Sequence, residues 1–484
     1  MNRKFLKRLT ISAVIVMTSA ALSTNTASAT GAPAPITQIS VKDSDSLKAG
    51  KFGTIQLYRP SGPVKQVVIF ISGDGGWNQG VVGMAKQLQN QGALVAGIDI
   101  RDYFKALNAS AGKCAYLGAE FERLSRLIQQ HEELSEYHYP ILLGYSSGAT
   151  LVYAVLNQTP KGIFAGGLSL GFCPDLELAK PLCKGEQLGA TPRKKGVGVD
   201  LLAVAQSNDP WIALQGEQDQ VCDADATKAF VSGIKNSQVI MLPKVGHGYA
   251  VEKNWMPQFM SAYTSLSRAP QSAPLPPPHD LGDLPVVEVT TTAKQDNSFA
   301  LLITGDGGYA GMDQQIAVGL SAQGQPVVVL NSLKYFWTAR TPQQVANDVD
   351  RIIRYYTTKW QKQKVVLVGY SQGADIMPFI LNRLPAAERA RIATAAAIGI
   401  SDNAVFEFHI ANWLTDPVGT PTLPELKKLG GLPFTCIYGE EETDSICPKL
   451  SPETARLVKL PGGHHFNGDY AAVARAVLAG IKSD

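Results

Sequence analysis

Two stretches of the chain, "LGYSSGATL" at 143–151 and "VGYSQGADI" at 368–376, repeat one phrase at a shift of 225 residues, and this repeat most limits the folds open to the sequence. Other landmarks recur in the same order. "VVIFISGDGGWNQG" from 67 answers to "FALLITGDGGYAGM" from 299, and "DYFKA" from 102 answers to "KYFWT" from 334, both at a shift of 232. "LQGEQDQVC", ending at Cys222, answers to "IYGEEETDSIC", ending at Cys447, and "LPKVGHGY" from 242 answers to "LPGGHHF" from 460. Five ordered matches imply a duplicated domain, and 484 residues are enough for two domains of about 200 residues each. Between the copies runs "RAPQSAPLPPPHDLGDLP", proline-rich and without helical or strand period, the composition of a semi-rigid linker. The expected layout is a first domain over 36–267, a linker over 268–285 and a second domain over 286–484.

Within each copy, short aliphatic runs bounded by glycine alternate with longer amphipathic stretches. In the second copy the strand candidates are "ALLIT", "PVVVLN", "KVVLVG", "ATAAAIGIS", "FTCIYG" and "ARLVKLP". The stretch "QQVANDVDRIIRYYTTKWQ" places Val345, Val349, Ile352 and Ile353 on one helical face. Strands without polar alternation, separated by helices, predict a mostly parallel sheet with helices on both faces in each half, an α/β fold class.

The first 29 residues read as a cleaved secretory leader: Arg3, Lys4, Lys7 and Arg8, then an apolar run shorter than the roughly 20 residues of a membrane span, then "ASA" at 27–29. Its removal takes four basic and no acidic residues, moving the formal charge from +3 to −1. That leaves no case for a nucleic-acid surface. An exported chain permits disulfides. Cys436 can pair only with Cys447 within the second half. The four cysteines of the first half allow three connectivities, and closeness favours Cys173 with Cys183, leaving Cys114 with Cys222. No Cys-x-x-Cys or His-x-x-x-His spacing calls for a metal, and no cofactor motif is complete. "GDGGYA" at 305–310 formally matches a dinucleotide fingerprint, but Asn78 breaks it in the first copy and Asn331 stands where an acid would hold a ribose.

Strand, Gly-x-Ser-x-Gly, helix is the context of a nucleophile elbow, and it points to two tandem α/β-hydrolase domains. A serine hydroxyl needs a histidine to take its proton and a carboxylate to orient that histidine, in the chain order Ser, acid, His. The first copy offers Ser146, Asp219 and His247. The second offers Ser371, Asp444 and either His464 or His465; matching the aromatic two places on favours His464. Asp219 and Asp444 align when the cysteines that follow them are matched, with Glu442 and Asp223 as substitutes. The "SGDGGW" and "TGDGGY" turns follow the first strong strand of each copy, where backbone N–H groups form an oxyanion hole. Gly75, Gly76 and Ser147, and likewise Gly307, Gly308 and Gln372, are the candidate donors. His131, His138, His279 and His409 read as surface or packing residues.

"TGDGGY", "LKYFWTARTP", "VGYSQGAD", "FEFHIANWL" and "LPGGHHFNGDY" resemble the bacterial virulence-associated AcvB/VirJ family, and the duplicated layout is similar to its longer, AcvB-type members. The resemblance implies a periplasmic hydrolase that cleaves the aminoacyl ester of lysyl-phosphatidylglycerol, releasing lysine. It also implies transient contact with the inner membrane and a link to virulence and secretion-system proteins. Carried over, it supports Ser371 as nucleophile, a histidine of "GGHH" as base and Asp444 as orienter. Asn331 departs from the aspartate expected before "SLKYFW". A lysyl group carries two positive charges, so Asp306 and Asp375 are candidate substrate-binding acids. An equally weighted reading has Asp306 and its counterpart Asp74 merely fixing their turns. A general carboxylesterase or thioesterase, and a non-catalytic export factor on a hydrolase scaffold, are the alternatives. The insertion "PDLELAKPLCKGEQLGATPRKKGVGVD" in the first copy carries a basic "PRKK", read mainly as a solvated loop and secondarily as a headgroup contact.

Overall fold

The computed structural model describes residues 45–481 apart from 112, 186, 195, 269–280, 294–295 and 408–418. The expected leader, His279, His409 and most of the linker lie outside the described residues. Two sheets carry the fold. The first contains β1 (Ser46–Lys48), β2 (Thr54–Tyr58), β3 (Gln66–Ile71), β4 (Ala93–Ile98), β5 (Ile141–Tyr145), β6 (Gly166–Leu170), β7 (Gln206–Gly216) and β8 (Lys235–Leu242), in the spatial order β1-β2-β4-β3-β5-β6-β7-β8. The second contains β9 (Val286–Val289), β10 (Ser298–Ile303), β11 (Val327–Leu330), β12 (Lys364–Tyr370), β13 (Ile392–Ile398), β14 (Phe434–Gly439) and β15 (Arg456–Leu460), ordered β9-β11-β10-β12-β13-β14-β15.

Strand for strand the second order repeats the first from β2 onward. In both sheets the strand that opens the repeat pairs antiparallel with its neighbour and the later pairs of the repeat are parallel; β1, outside the repeat, pairs antiparallel with β2. Every strand expected in the second copy is present. The edge strand β9 is an addition: its "VVEV" is too short and too near the proline-rich stretch to declare itself. Leu281 and Leu284, at the expected linker's end, are buried in the second core.

Each sheet is buried on both faces by helices, with one apolar cluster on each side. The helices used below are α1 (Gln79–Asn90), α2 (Ile100–Ala109), α3 (Leu117–His131), α4 (Ser147–Gln158), α5 (Ala224–Ser232), α6 (Met256–Arg268), α7 (Gly311–Ala322), α8 (Ser332–Tyr335), α9 (Pro342–Trp360) and α10 (Gln372–Leu381). In α9, Thr341 and Gln344 form a capping box, Pro342 occupies the first turn, and Val345, Val349, Ile352 and Ile353 are fully buried, each contributing roughly 1.5–3 kcal/mol. The order in which successive strands are added switches sides between β3 and β5, and between β10 and β12, which opens a crevice at the carboxyl ends of those parallel strands.

The cysteines of the first half pair otherwise than sequence proximity suggests. Cys114 joins Cys183 and Cys173 joins Cys222, whereas Cys436 joins Cys447 as expected. Nearness along the chain is a poor guide because the strands carry neighbours apart. Cys173 leaves the end of β6 beside the loop after β7 that holds Cys222. The insertion instead folds back on the entry to α3, where Ala115 N donates to Pro181 O and Cys183 N donates to Ala115 O. The insertion is structured, with a three-stranded antiparallel sheet of Asp175–Leu176, Ala190–Pro192 and Val199–Leu201. Arg193 of its basic run pairs with Asp175 and Glu177.

Candidate active site

Ser146 and Ser371 stand immediately after the central strands β5 and β12, with φ of 55° and 51°, a left-handed conformation that a non-glycine residue adopts only when its surroundings impose it. The flanking glycines provide that surrounding. A Cβ on Gly369 would lie 2.4 Å from Gly373 O, and one on Gly373 would lie 2.1 Å from Ile303 O, so strand and helix close on each other only with hydrogen at both positions. The first copy repeats this at Gly144 and Gly148.

In the first domain the three expected side chains meet. Ser146 Oγ lies 2.9 Å from His247 Nε2, and His247 Nδ1 lies 2.8 Å from Asp219 Oδ2. The Asp219 carboxylate has no exposed side-chain surface and also accepts the backbone N–H groups of Val221 and Cys222, which keep it aimed at the imidazole. Asp219, Cys222 and His247 cluster closely enough to suggest a metal site, but Cys222 is in a disulfide and the other two are paired with each other.

In the second domain the histidine is His464, and its acid is Glu442 rather than Asp444. His464 Nδ1 hydrogen-bonds Glu442 Oε1, while Gly439 N–H donates to Glu442 Oε2 at 2.7 Å. The reason lies in the loop. Counted from the last strand glycine, Gly216 in β7 or Gly439 in β14, the acid is the third residue in both copies, and the two extra residues of the second copy follow it. Anchoring on the cysteines instead displaces the assignment to Asp444. Asp444 is exposed and lines a pocket beside the serine. His465 lies on the outer side of His464, their ring centroids 5.9 Å apart. Ser371 and His464 line the same pocket, and no hydrogen bond joins them.

Two features of the site escaped the motifs. The tyrosine of each "GYS" phrase donates to the backbone carbonyl of the histidine, Tyr145 to His247 O at 2.8 Å and Tyr370 to His464 O at 3.4 Å. Behind each imidazole lies a left-handed glycine, Gly171 or Gly399. A Cβ on Gly399 would meet His464 Cε1 at 2.5 Å.

The oxyanion turns divide their donors. Gly76 N–H donates to Gly73 O and Gly308 N–H to Gly305 O, so these two glycines close the turn rather than face the substrate. Gly75 and Gly307 have no backbone acceptor among the described residues. Together with the first N–H groups of α4 and α10, on Ser147 and Gln372, they are the pair free to receive an oxyanion. Both turns are braced from outside. Ser147 Oγ donates to Asp74 Oδ2 at 2.5 Å. Asp306 instead pairs with Arg126 of α3 at 2.6 Å, and Gly305 N–H donates to the buried Asp313. The Asp306 side chain is itself exposed, and the Arg126 guanidinium holds its carboxyl below the usual range. Burial pushes the Asp313 carboxyl well up.

Ser371 stands between two cavities. One, of about 280 Å³, is lined by Asp375, Ser401, Glu442, Asp444 and His464. Burial raises the Asp375 carboxyl to about 7 against hydrogen bonds from Ser401. Burial also works against the charge of His464, yet Glu442, Asp444 and Asp375 outweigh it and lift its pKa above the ordinary value. The counterpart region of the first copy lacks an acid: Thr150 donates to Cys173 O. The other cavity, about 860 Å³, lies between the domains, with the Gly305–Gly308 turn, Ser371, His464 and His465 on one wall and Tyr116, Glu122, Arg123, Arg126 and Pro160 on the other.

A mostly parallel sheet with a strained serine after its central strand and a histidine–acid pair at the following loops defines two α/β-hydrolase domains in tandem. The chain belongs to the bacterial virulence protein (VirJ) family, whose profile matches residues 65–165 and 297–484, more than half of the sequence. The match in the first copy includes Ser146 and stops short of Asp219 and His247. No curated protein is significantly similar to the chain. Among solved structures it is similar to the esterase Est1E from Butyrivibrio proteoclasticus, at 12% identity over 46% of this chain and 99% of that one, with a TM-score of 0.32. A dienelactone hydrolase homologue from Klebsiella pneumoniae aligns at 13% identity over 46% and 97%, TM-score 0.34. A serine hydrolase homologue from Coxiella burnetii aligns at 19% over 44% and 90%, TM-score 0.29.

Proposed function

We propose that the second domain is a serine hydrolase of aminoacyl esters, acting in the periplasm on lysyl-phosphatidylglycerol to release lysine and phosphatidylglycerol. The observation that carries the reading is the placement of Ser371 between an acid-lined pocket and a cleft whose wall bears Arg123 beside Glu122 and Asp306, the two acids that Arg126 pairs. An ester with a cationic acyl group and an anionic alcohol has the complementary charge pattern. The lysyl ammonium groups would face Asp375 and Asp444, and the phosphodiester of the alcohol would face Arg123. His464 takes the proton as Ser371 Oγ attacks the carbonyl carbon, and Gly307 and Gln372 N–H receive the oxyanion. The C–O bond breaks, and His464 returns the proton to the departing glycerol hydroxyl. Water repeats the sequence on the acyl-enzyme and frees lysine. Brief contact with the lipid surface is part of the proposal; among the described residues no helix is long and apolar enough to cross a membrane.

Purified protein is expected to release lysine from lysyl-phosphatidylglycerol micelles, with Ser371→Ala abolishing release and Ser146→Ala retaining it. Release unaffected by Ser371→Ala would sink the assignment, and no release from either protein would favour a non-catalytic secretion-associated role. A pH series tests the acyl pocket. With its pKa near 7, Asp375 is ionised above that pH and neutral below, so KM for a lysyl ester should rise several-fold from pH 8 to pH 6. A neutral acyl ester should show no such rise, and Asp375→Asn should flatten the lysyl profile at a raised KM.

A further inference from the structure

Gly-Asp-Gly-Gly forms the oxyanion turn in both domains, but the two turns are braced from different places. The first is held by its own domain. Ser147 Oγ donates to Asp74, and Arg101, itself paired with Asp99, packs so closely that a Cβ on Gly76 would lie 2.0 Å from its guanidinium. At the corresponding positions the second domain has Gln372 and Leu333. Gln372 Nε2 donates away from the turn, to Val405 O at 3.1 Å, and leucine brings no charge. Asp306 is bound instead by Arg126, a residue of the other domain, 97% buried and also paired with Glu122. Glu122 Oε1 lies 3.4 Å from where a Cβ on Gly307 would stand, so the α3 pair packs directly on the glycine whose N–H is free for the oxyanion.

The surrounding contacts keep α3 in place. Gly311 N–H donates to Lys161 O at 3.2 Å, and a Cβ there would meet Pro160 at 2.3 Å, so glycine is needed for the close approach. Trp337 Nε1 donates to Leu134 O at 2.7 Å and its ring packs on Tyr137. A buried guanidinium is stable only with its acids in place, and this one has an acid on each side of the domain boundary.

We propose that the Ser371 site is completed by the first domain, with Arg126 as a positioning residue that holds Asp306, and through it the Gly307 N–H, in the geometry that receives the oxyanion. The inference rests on Ser371 being the nucleophile of the second domain. Because an oxyanion donor acts on the transition state far more than on bound substrate, loosening the turn lowers kcat and leaves KM nearly unchanged. The first domain thereby acts as a structural half of the second domain's site.

The test uses the full chain carrying Ser146→Ala, so that a fluorophosphonate probe reports Ser371 alone, together with kcat and KM on a lysyl ester. Arg126→Gln is expected to slow both labelling and kcat by about 10- to 100-fold with KM within about threefold. Arg126→Lys should recover part of the loss. Adding Gln372→Ser to Arg126→Gln restores the hydroxyl that braces the first copy's turn and should recover about fivefold or more. Asp306→Asn, which leaves α3 untouched, should lower kcat likewise and add little to Arg126→Gln; it serves as the second variant should Arg126→Gln fail to fold. Labelling and kcat within twofold of the parent in folded Arg126→Gln or Asp306→Asn would overturn the proposal, as would a loss confined to KM. If the parent labels but releases no lysine from the lipid, the substrate reading falls, and the labelling rates still decide the role of Arg126.

Discussion

Glu442→Gln is expected to lower kcat on a lysyl ester by about 10³- to 10⁴-fold, the scale seen when the acid of a serine–histidine–acid triad becomes its amide. The amide can present its NH₂ to Nδ1, which stabilises the wrong tautomer, and it cannot stabilise the imidazolium that forms as Ser371 gives up its proton. Asp444→Asn removes a pocket charge but not the partner of Nδ1, so kcat should fall less than about tenfold, with the main effect in KM. Steady-state kinetics on the two variants separates the roles. Equal losses, or a larger loss for Asp444→Asn, would return the orienting role to Asp444. The acid limb of the kcat/KM profile offers a second readout, because Glu442 helps hold the His464 pKa above its ordinary value. In the amide variant that limb should move to lower pH.

Gly399→Ala is expected to cost about 10²-fold or more in kcat. The backbone there has φ of 65°, which disfavours any side chain, and the added carbon would stand 2.5 Å from His464 Cε1 and 2.8 Å from its Nδ1. The ring must turn or shift, and misplacing a catalytic group by about 1 Å suffices for a loss of this size. Because Gly399 follows the last residue of β13 and lines the pocket beside Ser371, circular dichroism should stay native and Tm should fall by only a few degrees. Wild-type kinetics from a folded Gly399→Ala protein would mean that the imidazole works from another position.

Much of this architecture was legible in the residues. Two Gly-x-Ser-x-Gly phrases after aliphatic runs predicted two elbows, because only glycine permits the close contact of strand and helix. "VGHGY" and "GGHHF" led to the two histidines. The errors arose where short-range counting met long-range contact. Asp444 was favoured by matching cysteines, yet the loop's two extra residues fall after the acid, so strand-end counting selects Glu442. Cys173 lies ten places from Cys183 but bonds Cys222, because β6 and β7 are neighbours in the sheet. Gly76 and Gly308 looked like oxyanion donors, but their N–H groups close the turn.

The sequence by itself determined the repeat, the two hydrolase domains, both serines and His247, and narrowed the second histidine to His464 or His465. These depend on local requirements: a left-handed residue between glycines, an aliphatic strand buried on both faces, a fixed order of elements. Which acid serves His464, which cysteines pair and which domain braces the second oxyanion turn were decided only by the tertiary structure. Arg126 reads in sequence as one more arginine on a charged helix, and Asp306 is 180 residues away. Only packing of the domains brings that guanidinium against that carboxylate, since the ion pair depends on a separation in space that no local pattern of residues encodes.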